Sequence, residues 1–237
     1  TLSKVPQPAR QAIFQKVPSP YGVTGVFAGD TEAAHKHTLA RRYEQYLVPI
    51  KGQADILVTG VPYVSPYNVN SFLNPLLVQV MVNGYLFNMY KGVPMLKKGG
   101  TMIVTHPCTD QFDKEHHAPY IEFVHNLLPE TRDALELHKR YEAKFASNPA
   151  YIQAYRTGHA YHPAHAFFMW YWGEAGRQHT GRVIVVGADN EYIPKLMGWE
   201  TARSMPEALE MAKDTAPPNP DIVLLHMPPI VMAKVTA

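Results

Sequence analysis

Short apolar runs alternate with amphipathic stretches along most of the chain, and that alternation predicts β-α units. "GVTGVFAG" (22–29) has the pattern of a strand, and Asp30 is placed to cap a helix beginning "TEAAHKHTLARRYEQYL". "ADILVTGVP" (54–62) reads as a second strand. After a polar loop, Asn74 and Pro75 give a cap and first-turn pair for a helix over "PLLVQVMVNGYLFNMY" (75–90), apolar nearly all round. In "LKKGGTMIVTH", Gly99 and Gly100 are expected to stop a helix ahead of a third strand. "GRVIVVGAD" (181–189) is the fourth strand, followed by a helix over Tyr192 to Met197 that ends at Gly198. Ser204 with Glu207 makes a capping box for "MPEALEMAKD", and "DIVLLH" (221–226) is the fifth strand. The expected fold class is α/β, with a doubly wound, mainly parallel, Rossmann-like sheet of about five strands covered on both faces.

Two stretches break the alternation. Residues 1–21 carry four prolines and read as an extended arm or linker. Residues 111–180 hold "PYIEFVHNLL", "TRDALELHKRYEAKFASN" and "PAHAFFMWYWGEAG" without a strand signal. A plain crossover is far shorter, so this is a helical insertion. The expected organisation is an arm over 1–21 and an α/β domain over 22–237.

Composition narrows the classes. Apolar residues make up 46 % and charged residues 18 %, which excludes global disorder. A net charge of +2 gives no electrostatic footprint for nucleic acid or a membrane surface. A single cysteine excludes an internal disulfide and a cysteine-rich zinc module, and suits a reducing, cytoplasmic setting. The most apolar segment, 75–90, is too short and too interrupted by Gln79, Asn83 and Asn88 to span a bilayer. No basic-then-apolar leader opens the chain, and its start at Thr1 rather than Met points to a processed protein or a fragment.

In open α/β sheets the ligand crevice lies beyond the carboxyl ends of the strands. The residues that follow the expected strands are Asp30, then Asn68 and Asn70, then His106, Cys108, Thr109 and Asp110, then Asp189 and Asn190, and last His226. "THPCTD" (105–110) is thus a strand end entering that crevice. Cys108 as a nucleophile needs a base within reach and a lowered pKa. His106 supplies only adjacency in sequence, so a small side chain packed at a strand end is the favoured reading. Asp110 either caps the next helix or touches a ligand. His159, His162 and His165 recur every three residues, but Pro163 disfavours helix at His162. His162 and His165 are therefore weak metal candidates, without a recognised ligand set. The aromatic stripe "FFMWYWGE" (167–174) reads as core, with Trp170 the residue to face a cleft if one does. There is no Walker loop, and the glycines of 22–29 fall inside a strand pattern.

Four segments in order carry a family resemblance: "GVFAGDTEAAH", "ADILVTGVPYVSPYNVNSF", "LKKGGTMIVTHPCTD", and "RVIVVGAD…LMGWETARSMPEALEMA" with "DIVLLHMPP". Together they resemble the C-terminal domain of the nickel-dependent lactate racemase family, 2-hydroxy-acid racemases and epimerases. The resemblance implies a cleft-closing domain that contributes substrate contacts. An N-terminal catalytic domain would carry the nickel-pincer nucleotide and the histidine pair that exchanges the substrate proton. No such cofactor is then expected on this chain alone. The family's contact segment, Asn-x-Tyr-Gln-x-x-Lys, corresponds to Asn70, Phe72, Leu73 and Leu76 here. Losing the lysine removes a charge-assisted partner for a carboxylate, which points away from lactate and towards contacts from Asn68, Asn70 or the insertion. The expected partners are a catalytic domain and a small-molecule substrate, with self-association left open. Two rivals stand beside this reading. One is a non-catalytic binding module that uses the arm and the aromatic insertion. The other is a metal hydrolase built on His106, His159, His162 and His165.

Overall fold

The structure is a computed structural model that describes residues 5–17, 22–62, 73–226 and 232–236. The chain divides into two units, Thr1–Tyr46 and Leu47–Ala237.

In the first unit, α1 (Gln7–Lys16) is a helix where an extended arm was expected. Pro6 lies at its N-cap and Pro8 in its first turn, where a missing N–H costs nothing. Asp30 caps α2 (Thr31–Tyr46) as expected, its Oδ1 accepting from the backbone N–H of Glu32 at 3.0 Å and of Ala33 at 3.1 Å. The strand expected at 22–29 is absent. Those residues take no regular structure and are exposed, and Phe27 stacks on His37 with ring centroids 5.6 Å apart.

The second unit is built on a five-stranded sheet in the order β5-β4-β3-β2-β6, every pair parallel. Its strands are β2 (Ala54–Gly60), β3 (Leu96–Thr105), β4 (Arg182–Val186), β5 (Glu200–Ala202) and β6 (Ile222–Leu225). Gly99 and Gly100 do not stop a helix. They form an irregularity inside β3, where pairing with β2 jumps from Ala54↔Leu96 to Ile56↔Thr101. Gly99 sits at φ +80°, and Gly100 lies against the Asp55 carbonyl, where a Cβ would be only 2.8 Å from that oxygen.

Alternation along the strands divides the core in two. Leu57, Met102, Val104, Val183 and Val185 face one large cluster with the helices of the 75–179 region. Ile56, Val58, Ile103 and Ile184 face the other way, against Ala208 and Ala212 of α11 (Met205–Lys213). A sheet with helices on both faces is the doubly wound arrangement expected. On the larger side, α3 (Pro75–Val80) is buried throughout and capped by Asn74, whose Oδ1 accepts from Leu77 N–H at 3.2 Å. It continues into a π-turn, Met81–Tyr85.

Between β3 and β4 run α4 (Ala118–Glu122), continued by a π-turn over Phe123–Leu127, then α5 (Ala134–Leu137), a π-turn at His138–Glu142, α6 (Ala143–Ala146), α7 (Pro149–Thr157), α8 (His165–Trp172) and α9 (Glu174–His179). After β4, α10 (Tyr192–Met197) ends at Gly198, whose φ of +79° is a left-handed stop. A separate two-stranded parallel sheet pairs β1 (Leu47–Lys51) with β7 (Met232–Thr236). Asn88 clamps it: its side chain donates to the Ala233 carbonyl and accepts from the Ala233 N–H, both at 2.9 Å. Among the described residues no helix is long and apolar enough to cross a membrane.

Candidate functional site

Because all five strands of the main sheet are parallel, their carboxyl ends share one edge. The loops leaving β2, β3 and β4 are stitched together there. Val61 N–H donates to the Thr105 carbonyl at 3.2 Å, His106 N–H to the Val186 carbonyl at 3.2 Å, and Asp189 N–H to the Pro107 carbonyl at 2.7 Å. This fixes the path of "THPCTD", and it decides which of its side chains reach solvent.

His106 and Cys108 do not. His106 is 3 % exposed and Cys108 1 % exposed, and the Cys108 N–H donates to His106 Nδ1 at 2.9 Å. The imidazole therefore serves the turn, in which Cys108 takes the left-handed φ of +46°. Burial pushes the Cys108 thiol up to about 12, with the Asp189 charge acting in the same direction. The His106 imidazole is pulled down to about 4 by burial, against the opposing pull of a hydrogen bond to the Pro62 carbonyl and of Asp189. A protonated thiol beside a neutral, turn-bound histidine is no nucleophile–base pair.

Asp110 does reach the surface, and it caps no helix among the described residues. Its Oδ1 lies 3.0 Å from Nε2 of His125, whose other ring nitrogen, Nδ1, lies 3.2 Å from the hydroxyl of Tyr192. The rings of His125 and Tyr192 stack at 5.8 Å with planes 8° apart, and Phe112 closes the other side edge-on at 5.8 Å. With Nε2–H donated to the carboxylate, Nδ1 is left to accept from the tyrosine. The three groups come from three elements: the loop after β3, the π-turn that follows α4, and the first residue of α10. The π-turn matters because it shifts the helix by one residue, and such insertions are frequent at functional sites. Tyr192 N–H is itself tied to Asn190 Oδ1 at 2.9 Å. Beside this trio, between the ends of β4 and β5, lies a hollow of about 650 Å³ whose lining includes Gly187, Asn190, Thr201, Arg203 and Glu207.

Other candidates lie elsewhere. Trp170, the residue to face a cleft if one did, is wholly buried. Its Nε1–H donates to the Arg132 carbonyl at 3.0 Å and the Arg177 guanidinium covers its ring at 3.9 Å, because α8 is apolar nearly all round and packs on α3. His165 bonds the Tyr120 hydroxyl and stacks on Tyr161 at 4.9 Å, while His162 meets Tyr155 edge-on at 5.2 Å. The two are taken up by aromatic packing, and among the described residues no three His, Cys, Asp or Glu side chains converge on a metal position. Asn68, Asn70 and Phe72 lie outside the described residues. Leu73 and Leu76, the positions that the sequence resemblance sets against the family's glutamine and lysine, are 1 % and 0 % exposed and belong to the core.

No family model and no curated protein sequence matches the chain. Its structure is similar to that of the lactate racemase apoprotein from Thermoanaerobacterium thermosaccharolyticum, with a TM-score of 0.51 and 20 % identity over 89 % of this chain. The fold is a partial lactate racemase fold. The chain spans 42 % of that protein's length. His125 and Tyr192 are the members of this candidate site that sequence reasoning missed. His125 sits in a helical pattern beside Phe123 and Val124 and looks like one more surface position. Tyr192 stood out only as a helix start. The one available signal was that both flank segments leaving adjacent strands.

Proposed function

We propose that the chain is the cleft-closing part of a lactate racemase-like 2-hydroxy-acid racemase or epimerase, acting on a substrate other than lactate. The observation that carries this reading is the Asp110–His125–Tyr192 trio, exposed at the carboxyl edge of a sheet with a racemase-like fold. Asp110 fixes the tautomer and orientation of His125, and His125 in turn fixes the Tyr192 hydroxyl. The hydroxyl of a hydroxy acid brought to this edge meets two ordered acceptors, the Asp110 carboxylate and the Tyr192 oxygen, without their first having to be organised. The burial of Leu73 and Leu76 takes the family's carboxylate-binding positions out of reach, so carboxylate recognition falls to other groups and the substrate differs. The nickel-pincer nucleotide supplies hydride chemistry where it is bound. The described residues offer it no ligand set of their own, and in this reading a further catalytic domain holds it.

The test is to express the complete reading frame with the cofactor, then follow bound nickel and the loss of optical activity across a panel of 2-hydroxy acids. Turnover of at least one acid is expected, and His125→Ala is expected to lower kcat/KM by roughly 10–100-fold with the cofactor still bound. A folded, cofactor-loaded preparation that racemises none of them overturns the reading.

A further inference from the structure

A second polar site lies at the opposite edge of the sheet, where β4 and β5 begin. There a cavity of about 390 Å³ is lined by Asn83, Arg132, Glu174, Arg177, Arg182 and Trp199, among others. It gathers three arginines against one carboxylate. Arg182 is already committed, with Nε and Nη2 bidentate on Glu200 at 2.8 Å and Nη1 on the Met211 carbonyl. The other two keep donors open. Arg177 spends Nη2 on Glu174, while its Nη1 is buried and makes no hydrogen bond among the described residues. Arg132 is exposed and no hydrogen bond or ion pair engages its guanidinium among the described residues. Its carbonyl is held by Trp170, and its guanidinium lies against Gly198, where a Cβ would collide with it.

Asn83 completes the wall. It is 1 % exposed, and both atoms of its side-chain amide lack a hydrogen-bond partner among the described residues. One turn earlier on the same helix, Gln79 is fully buried with both of its amide atoms in the same condition. Burying such groups without partners is costly, and native proteins rarely leave them so. The segment opposite is cut down to fit against this helix: a Cβ at Gly173 would strike the Gln79 side-chain amide, and one at Gly176 would strike the main-chain carbonyl of Asn83. Asn83 also sits within a π-turn.

The geometry points to a binding site for a small oxyanion, a carboxylate or phosphate group carried by a small metabolite. Arg132 and Arg177 form its charged jaws and the Asn83 amide N–H₂ donates from the floor. Arginine's planar fork suits both kinds of oxyanion, and a group held this way satisfies donors that the protein leaves open. The site is separate from the Asp110–His125–Tyr192 edge and does not rest on the function proposed for that edge.

The experiment is calorimetric titration of the protein at low ionic strength with inorganic phosphate and, separately, with succinate. The variants are Arg132→Ala and, as a charge-matched control on α7, Arg156→Ala. Saturable binding of at least one anion by wild type and Arg156→Ala is expected, weakened roughly tenfold or more in Arg132→Ala, the scale of one charge-assisted pair. Arg132 is exposed, so its loss leaves the fold intact, and unchanged unfolding of the variant without anion checks this. Absence of binding by both anions, equal binding by Arg132→Ala, or a crystal structure grown with either anion that shows only water between Asn83 and Arg177 overturns the assignment.

Discussion

His106 and Cys108 stand two residues apart in a stretch that invites a catalytic reading, and burial decides against it. The same burial has a measurable cost in acid. His106 and His117 ordinarily titrate near 6.5, and both are pulled down to about 4 in the folded chain, chiefly by desolvation. Around His106 the Asp189 charge opposes the shift. Around His117, Asp113 opposes it and His116 and His165 add to it. Between those two pH values the unfolded chain takes up protons that the folded chain refuses. Stability is therefore full above about pH 6.5 and drains as pH falls towards 4, by about 3 kcal/mol per histidine at most. Urea unfolding at pH 7 and pH 4.5 checks this, and His106→Gln is expected to remove about one proton from the difference. What was legible at this scale was the place of "THPCTD" at a strand end. The partnership of Asp110 was not, since a carboxylate just beyond a strand looks like a helix cap until its loop is folded back onto the π-turn that carries His125.

Elements were legible where their signals are local. The Asp30 and Asn74 caps, the Gly198 stop and the runs of β2, β4 and β6 are each written in a few adjacent residues. The Ser204 cap is also present, with its Oγ accepting from Glu207 N–H at 3.3 Å. The Glu207 carboxylate reaches one residue further back than a capping box requires, to the Arg203 N–H at 2.8 Å. Ser204→Ala is expected to cost about 1 kcal/mol in urea unfolding, and an unchanged midpoint would show that Glu207 holds the terminus alone. Pairing is not local, and there the sequence misleads. "GVTGVFAG" has the strand pattern but finds no neighbour, while Glu200–Ala202, a three-residue segment without any run, becomes the fifth strand because Ile184, Val185 and Val186 offer it an edge. The π-turns were equally hidden, for one extra residue in a helix leaves hydrophobic periodicity nearly intact over so short a span.

At the scale of the molecule, the doubly wound sheet followed from the alternation of elements, whereas the β1–β7 pair did not, because its strands lie at opposite ends of the second unit. That pair depends on Asn88, which holds a left-handed φ of +68° and gives its whole amide to Ala233 and Val93. Deleting residues 232–237 strands this buried amide and removes the partner of β1. A loss of about 2–4 kcal/mol is expected, read from the urea midpoint, and Asn88→Ala should reproduce much of it. The register Leu47↔Met232 through Lys51↔Thr236 also means that this unit begins and finishes against itself. A polypeptide joined before Leu47 and another joined after Thr236 would emerge about one short strand's length apart, roughly 16 Å. Such a unit can be grafted as a cassette through a single patch, without rethreading the layers that hold its two polar edges.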